Sequence, residues 1–360
     1  MLKYGIIGSG YRAEFYGRIA RNYPGLFKAV YLCRSPEKAE RMTARTGAKA
    51  VLRAEEIEDG QPDFVVIAVD KGHIADETMN WAGRGFPVVA ETPVGNTVEK
   101  MTRLWKMQEK HGARIVCCEQ YFRYPILMAG LQAIREGTIG TASSIYVSLL
   151  HHYHAASLIR KALGIELEER TIMRGSRSAS PMVATDSREC AILDGTVSEA
   201  VRDRIHIDFE SGKQADYDFA PAQYRTYLRS RHLIVRGDRG EWSDMLIRHL
   251  DETGAPAQKL LLPEIPARYR GLDTQILRDC RRSWQSDLAP DTIQDEFAMA
   301  SILLDMGEYL SGGPSPYPLE EALWDACFWL QMEEAVAHPW QETVSMSMPW
   351  SSRTRFKDRG

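Results

Sequence analysis

Short apolar runs and helix-period stretches alternate along the first third of the chain. The runs Tyr4–Gly8, Phe27–Cys33, Phe64–Val69, Pro87–Ala90 and Ile115–Cys118 predict strands. Between them, Ala13–Asn22, Pro36–Thr46, Ile74–Gly83 and Val98–His111 predict helices. Ser35 is placed to cap the second helix, with Pro36 at its first position. Unbroken apolar strands such as Phe64–Val69 suit a sheet covered on both faces, and repeated strand–helix units predict a doubly wound parallel sheet.

The rhythm changes near residue 120. Ile126–Glu136 predicts a helix, Thr141–Leu150 a long alternating strand, and His154–Leu163 a helix stopped by Gly164. Strands follow at Arg204–Phe209, Gln214–Phe219 and Leu233–Arg236, with a turn at 237–240. Strands no longer separated by helices imply a mostly antiparallel open sheet in an α+β domain. Two helices close the pattern, Asp291–Tyr309 and Leu319–Ala337; Trp324, Phe328 and Trp329 sit at helical spacing, which marks core or subunit interface. The polar stretch Glu166–Val201 is expected to be a long loop. The class is α/β, divided as 1–120, 121–350 and a charged tail 351–360.

Composition narrows the function classes. The 360 residues carry 44% hydrophobic and 26% charged side chains and a formal net charge of -4, so there is no electrostatic footprint for nucleic acid. The six cysteines show no C-x-x-C spacing, which fits a reduced, cytoplasmic setting rather than a disulfide scaffold. No secretory signal is expected, and no apolar run is long enough for a membrane span.

The chemistry begins where the first strand ends. Gly8, Ser9, Gly10, Tyr11, Arg12 and Ala13 form the pattern G-x-G-x-x-A between strand and helix. Gly8 permits a tight turn, Gly10 lets a pyrophosphate approach the backbone, and Ala13 allows close helix packing. The phosphates would meet the N–H groups and positive dipole of the helix start. A dinucleotide site in a Rossmann domain follows. At the end of the second strand, where an acidic residue would select NAD, this chain has Arg34 and Ser35, suited to a 2′-phosphate. That favours NADP over NAD.

Four features together resemble the glucose-fructose oxidoreductase / inositol dehydrogenase / MocA family. They are the glycine loop, the segment Asp63–Val69 with His73 beyond it, Glu91-Thr92-Pro93 where the family has Glu-Lys-Pro, and Gly137–Gly140 followed by a strand and His154. The resemblance implies a Rossmann domain followed by a substrate domain whose open sheet often forms the interface of a dimer or tetramer. It implies that Val69, His73, Glu91 and Pro93 lie around the nicotinamide. It also implies hydride transfer to or from a hydroxyl or keto carbon of a sugar, cyclitol or glycoside. Two departures matter. Thr92 replaces the family lysine and hardly titrates near neutral pH. Leu150 and Ser157 replace the aspartates expected around His154. The proton-handling candidates are therefore His154, with Tyr153 and Thr92. Tyr121, Arg123 and Arg174 are candidate substrate contacts. His151, His152 and His154 suggest a metal, with His152 and His154 sharing a strand face, but no third ligand has characteristic spacing and no metal is expected. Two alternatives stay open: a redox-neutral enzyme that retains its cofactor, and a non-catalytic dinucleotide sensor.

Overall fold

The computed structural model describes residues 1–350 except 168, 188–189, 263–264, 274–290 and 346. The expected tail 351–360 lies outside the described residues. The chain divides into two compact units, one of residues 1–124, 265–273 and 291–326, the other of 125–262 and 327–350.

The first unit is built on a six-stranded sheet: β1 (Leu2–Ile7), β2 (Phe27–Leu32), β3 (Lys49–Val51), β4 (Phe64–Ile67), β5 (Val88–Ala90) and β6 (Ile115–Cys117). Its order is 3-2-1-4-5-6 and every pairing is parallel. The order reverses between β1 and β4, the switch point where such sheets bind ligands. The helices are α1 (Tyr11–Asn22), α2 (Pro36–Thr46), α3 (Ala54–Asp59), α4 (Ile74–Gly83) and α5 (Val98–His111). All four residues of β4 are fully buried, as a strand covered on both faces requires. Ser35 caps α2 as expected, accepting a hydrogen bond from the Lys38 N–H at 3.4 Å. The sequence pattern did not reveal β3 and α3, which are too short to show a period.

In the second unit α6 (Pro125–Arg135) leads to β7 (Ala142–Ser148) and α7 (His152–Leu163). Then come β8 (Thr171–Val183), β9 (Val197–Phe209), β10 (Gln214–Phe219), β11 (His232–Gly237), β12 (Gly240–Ser243), β13 (Leu246–Leu250), β14 (Pro256–Leu260) and β15 (Thr343–Val344). They form one sheet of order 14-13-12-11-7-10-9-8-15. Among the described pairings of this sheet, only β7–β10 is parallel.

Two expectations are corrected here. The stretch 166–201 is not a long loop, because it contains all of β8 and the start of β9, paired from Thr171↔Phe209 to Val183↔Val197. Thr171 to Ser176 alternate between buried and half-buried positions, but Arg177 to Pro181 are exposed at five successive positions, where no in–out alternation betrays the strand. His152 and His154 do not share a strand face, because α7 begins at His152. Two late helices complete the fold. α8 (Asp291–Leu310) belongs to the first unit, and α9 (Leu319–Ala337) gives its residues through Ala326 to the first and the rest to the second. Trp324, Phe328 and Trp329 are buried on α9.

Candidate cofactor and active site

The turn after β1 shows why its glycines are there. Gly8 has a φ of +136°, and a Cβ on it would lie 2.1 Å from the Ala68 carbonyl oxygen. Only glycine satisfies both constraints. Gly10 is different. It caps α1 in an extended conformation, and a Cβ there would meet no atom of the chain within 4 Å. The protein's own packing does not demand glycine at this position, whereas a pyrophosphate drawn close to the backbone does. No side chain caps the helix start, which leaves its positive end for a ligand. Ala13 is fully buried, and its carbonyl accepts the Tyr31 hydroxyl at 2.9 Å. The Ser9 carbonyl accepts Arg41 Nη2 at 2.8 Å, tying α2 to the loop. Tyr11 is half-exposed, with its ring edge-on to Phe15. The residues present therefore fit a dinucleotide.

Beneath the loop lies a polar network. Arg12 donates through Nε to Glu91 Oε1 at 3.3 Å and through Nη1 to Asp295 Oδ2 at 2.9 Å. The Tyr16 hydroxyl donates to the same Glu91 oxygen at 2.7 Å. Tyr124 and Gln120 donate to Asp295 Oδ1 at 2.8 and 3.2 Å. Burial acts against the Arg12 charge, but the two carboxylates outweigh it and raise its pKa well above the ordinary value. Burial drives the Tyr16 and Cys118 pKa values upward, so both stay protonated at neutral pH. Arg12 and Glu91 thus lock α1 to the segment carrying Thr92. Asp295 escaped the sequence reading because nothing local marks a partner almost three hundred residues away.

The other expected cofactor residues surround this loop or lie at strand ends. The Thr92–Pro93 peptide is cis; Thr92 is half-buried and Pro93 buried. Val69 follows the Ala68 N–H bond to the Ile7 carbonyl at 2.9 Å, and His73 is exposed at the start of α4. Arg34 is exposed at the end of β2 and makes no ion pair among the described residues. Burial raises the Cys33 thiol pKa, while Arg41 and Lys38 act to lower it. Three cations therefore gather around this strand end.

Of the expected substrate contacts, Tyr121 stacks on Tyr124, with centroids 5.0 Å apart. Arg123 is not available to a substrate. It is buried, and its Nη1 lies 2.6 Å from Asp305 Oδ2 and 3.0 Å from the Tyr269 hydroxyl, while Nη2 donates to the Pro316 carbonyl at 3.0 Å. Arg174 stands on β8 and pairs with Asp208 at 2.8 Å and with Glu342.

The second unit gathers aromatic and imidazole rings where α7 begins. His154 is 4% exposed and packs edge-on against His151 and Tyr153, with centroids at 4.8 and 4.5 Å. Ser157, standing where the family aspartate is expected, donates to the His154 carbonyl at 2.9 Å. In the sequence His151 reads only as a candidate metal ligand. Its Nε2 lies 3.1 Å from the Tyr153 hydroxyl and its Nδ1 2.9 Å from the Tyr224 hydroxyl. His152 has a φ of +31°, and its Nε2 lies 3.2 Å from Asp203 and 3.4 Å from Glu333. Among the described residues no group of three His, Cys, Asp or Glu is placed to hold a metal ion.

Residues 2–119 match the oxidoreductase family with an NAD-binding Rossmann fold, the glucose-fructose oxidoreductase / inositol dehydrogenase / MocA group. The match spans the N-terminal third of the chain. No curated protein matches the chain. Solved structures share its fold across nearly the whole length. An oxidoreductase from Agrobacterium radiobacter, in complex with NAD+, L-tartaric acid and magnesium, superposes with a TM-score of 0.69 at 15% identity, covering 94% of this chain and 96% of that one. The WlbA dehydrogenase from Bordetella pertussis, bound to NADH and UDP-GlcNAcA, gives 0.66 at 13%, over 96% and 98%. A levoglucosan dehydrogenase with NADH and levoglucosan gives 0.66 at 15%, over 93% and 97%. Among the described residues no helix is long and apolar enough to cross a membrane.

Proposed function

We propose that this protein is a member of that family and an NAD(P)-dependent oxidoreductase that transfers hydride to or from a hydroxyl or keto carbon of a sugar, cyclitol or glycoside, with NADP preferred. The observation that carries the reading is Gly10, a glycine that only an approaching ligand requires, at an uncapped helix start. When bound, the nicotinamide supplies or takes up the hydride. The backbone of residues 8–13 holds the pyrophosphate. Arg34, backed by Lys38 and Arg41, neutralises a 2′-phosphate, and Ser35 fixes the start of α2. Val69, His73, Glu91 and Pro93 shape the nicotinamide side. His154 exchanges the substrate hydroxyl proton, with Tyr153 and Thr92 as hydroxyl donors, and Tyr121 contacts the substrate. The hydroxyl-rich ligands of the structural neighbours support the substrate class. The protein acts in the cytoplasm as a homo-oligomer.

Absorbance at 340 nm with NADP or NAD and a panel of polyols and sugars tests the reading. Arg34→Ala is expected to weaken NADPH binding about 10- to 100-fold, the worth of one or two charge-assisted hydrogen bonds, and to leave NADH within about twofold. Equal losses for both cofactors would remove the NADP assignment, and no hydride transfer on any substrate would remove the activity. Thr92 favours a second reading, since the family lysine is gone: a retained cofactor in a redox-neutral reaction, or a dinucleotide sensor. The first gives product without net NADPH, the second cofactor binding without product.

A further inference from the structure

We propose that Ser230, His232 and Asp244 form a second catalytic site, within the second unit, that hydrolyses carboxylic esters of small acids through an acyl-serine. The inference goes beyond the oxidoreductase reading and uses neither its residues nor a cofactor. The Ser230 hydroxyl lies 2.7 Å from His232 Nε2, and His232 Nδ1 lies 2.9 Å from Asp244 Oδ2. Nucleophile, base and orienting carboxylate thus stand in one hydrogen-bonded row. That is the geometry by which serine acyl transfer is recognised, whatever the fold. An ionised carboxylate only accepts, so Asp244 fixes the proton of the neutral ring on Nδ1. Nε2 is then the lone pair that faces Ser230, and the hydroxyl donates to it.

Each member is held in place by the fold. Asp244 opens the turn between β12 and β13 with a φ of +52°. Its N–H donates to the Leu233 carbonyl at 2.9 Å, and its carbonyl accepts Trp242 Nε1 at 2.7 Å. Asp244 Oδ1 accepts the Leu233 N–H at 2.9 Å, so Oδ2 is the oxygen left for His232. His232 begins β11, in register with Ser148 of β7. The Ser230 carbonyl accepts Nε2 of the buried Gln223 at 2.9 Å. Gln223 Oε1 in turn accepts the Ala220 N–H at 2.9 Å and Arg202 Nη2 at 3.3 Å. Ser230 is exposed and the His232 side chain is 43% exposed, so a small acyl group reaches Oγ from solvent. Residues 219–237 include Arg225, Arg229, Arg231 and Arg236 and no acid, a positive setting for the oxyanion that forms at the ester carbonyl. The step balances. Oγ bonds to the carbonyl carbon while Nε2 takes the hydroxyl proton. That proton passes to the alcohol oxygen as its bond to the acyl carbon breaks. Water then gives a proton to Nε2 and its oxygen to the acyl carbon, and Ser230 recovers the proton as the acid departs.

A fluorophosphonate probe and p-nitrophenyl acetate test the proposal on the whole protein without added cofactor. Wild type is expected to carry the label on Ser230, located by peptide mass. It is expected to hydrolyse the ester at a rate that Ser230→Ala and His232→Ala each lower about 100-fold or more. Asp244→Asn should lower the rate at least about tenfold, by removing the carboxylate that orients the ring. Asparagine tolerates the same left-handed conformation and keeps an oxygen for the Leu233 N–H, so this variant retains the turn. Circular dichroism establishes that each variant is folded. A His232–Asp244 pair that serves structure alone would leave Ser230 unlabelled in wild type. That result, a label on other serines only, or hydrolysis undiminished in folded Ser230→Ala overturns the proposal. Neither readout involves NADP or NAD, so the oxidoreductase reading stands or falls separately.

Discussion

Gly8 and Gly10 stand two residues apart and answer to different demands. Gly8 is fixed by the protein: its φ is +136° and the Ala68 carbonyl leaves no room for a methyl group. Gly10 is open on the side where a Cβ would stand. Alanine substitutions therefore separate fold from binding. Gly8→Ala is expected to cost about 1–3 kcal/mol from backbone strain alone, and more once Ala68 must move. Gly10→Ala should change stability by less than about 1 kcal/mol yet weaken cofactor binding more than about tenfold. Urea unfolding beside calorimetric titration checks the pair; if Gly10→Ala binds NADPH like wild type, the phosphates do not lie on this loop. The loop was legible in the sequence because its requirements are local, a turn and a close approach within six residues. The partner of His151 was not. The bond from His151 to Tyr224 spans 73 positions, and sequence spacing holds no trace of it.

At the scale of elements, the Rossmann strands and helices read well because each apolar run is short, unbroken and bounded by turn residues. β8 and the first half of β9 did not, because the ribbon is exposed from Arg177 to Pro181, where backbone pairing rather than an apolar face holds it. The start of α7 is tied to this ribbon by ions. Asp203 on β9 faces Arg177 at 2.6 and 2.8 Å and His152 at 3.2 Å. Burial acts to raise the Asp203 pKa, but the Arg177 and His152 bonds prevail and hold it at about 2. The folded pKa is thus below the unfolded value of about 3.9. A depressed carboxylate pKa contributes stability above pH 4 that is lost as pH falls from about 4 towards 2. Because the Arg177 side chain is 44% exposed, the contribution is discounted to about 1–2 kcal/mol. Asp203→Asn should therefore be less stable than wild type at pH 7, and the gap should shrink below pH 4. Urea midpoints taken down to the lowest pH at which the native state persists measure this. A gap constant with pH would mean that packing, not charge, joins α7 to the ribbon.

At the scale of the molecule, the first unit is not finished by its first 124 residues. The sequence predicts the helix α8 but offers only chain order to assign it, and chain order puts it with 121–350. In the structure it packs into the Rossmann unit. It brings Asp295 to Arg12, Glu296 to Arg18 at 2.6 Å, and Asp305 to Arg123 at 2.6 Å. Phe297, Met299, Ile302, Leu303 and Met306 on α8 are at most 1% exposed. Burying five such side chains is worth on the order of 8–15 kcal/mol, as much as the whole stability of an ordinary domain. The residues that match the family end at Glu119, before any of this is supplied. A fragment of residues 1–124 is therefore expected to show no cooperative urea transition and no NADPH binding, although it holds every strand of the sheet and the whole glycine loop. Joining 1–124 through a flexible linker to 265–326 should restore both. Circular dichroism through a urea titration and fluorescence of bound NADPH follow the two properties together. A cooperative transition and cofactor binding in 1–124 alone would show that α8 only covers a finished domain. Their return with α8 would make Arg12 and Asp295 the join through which a late helix fixes the cofactor loop.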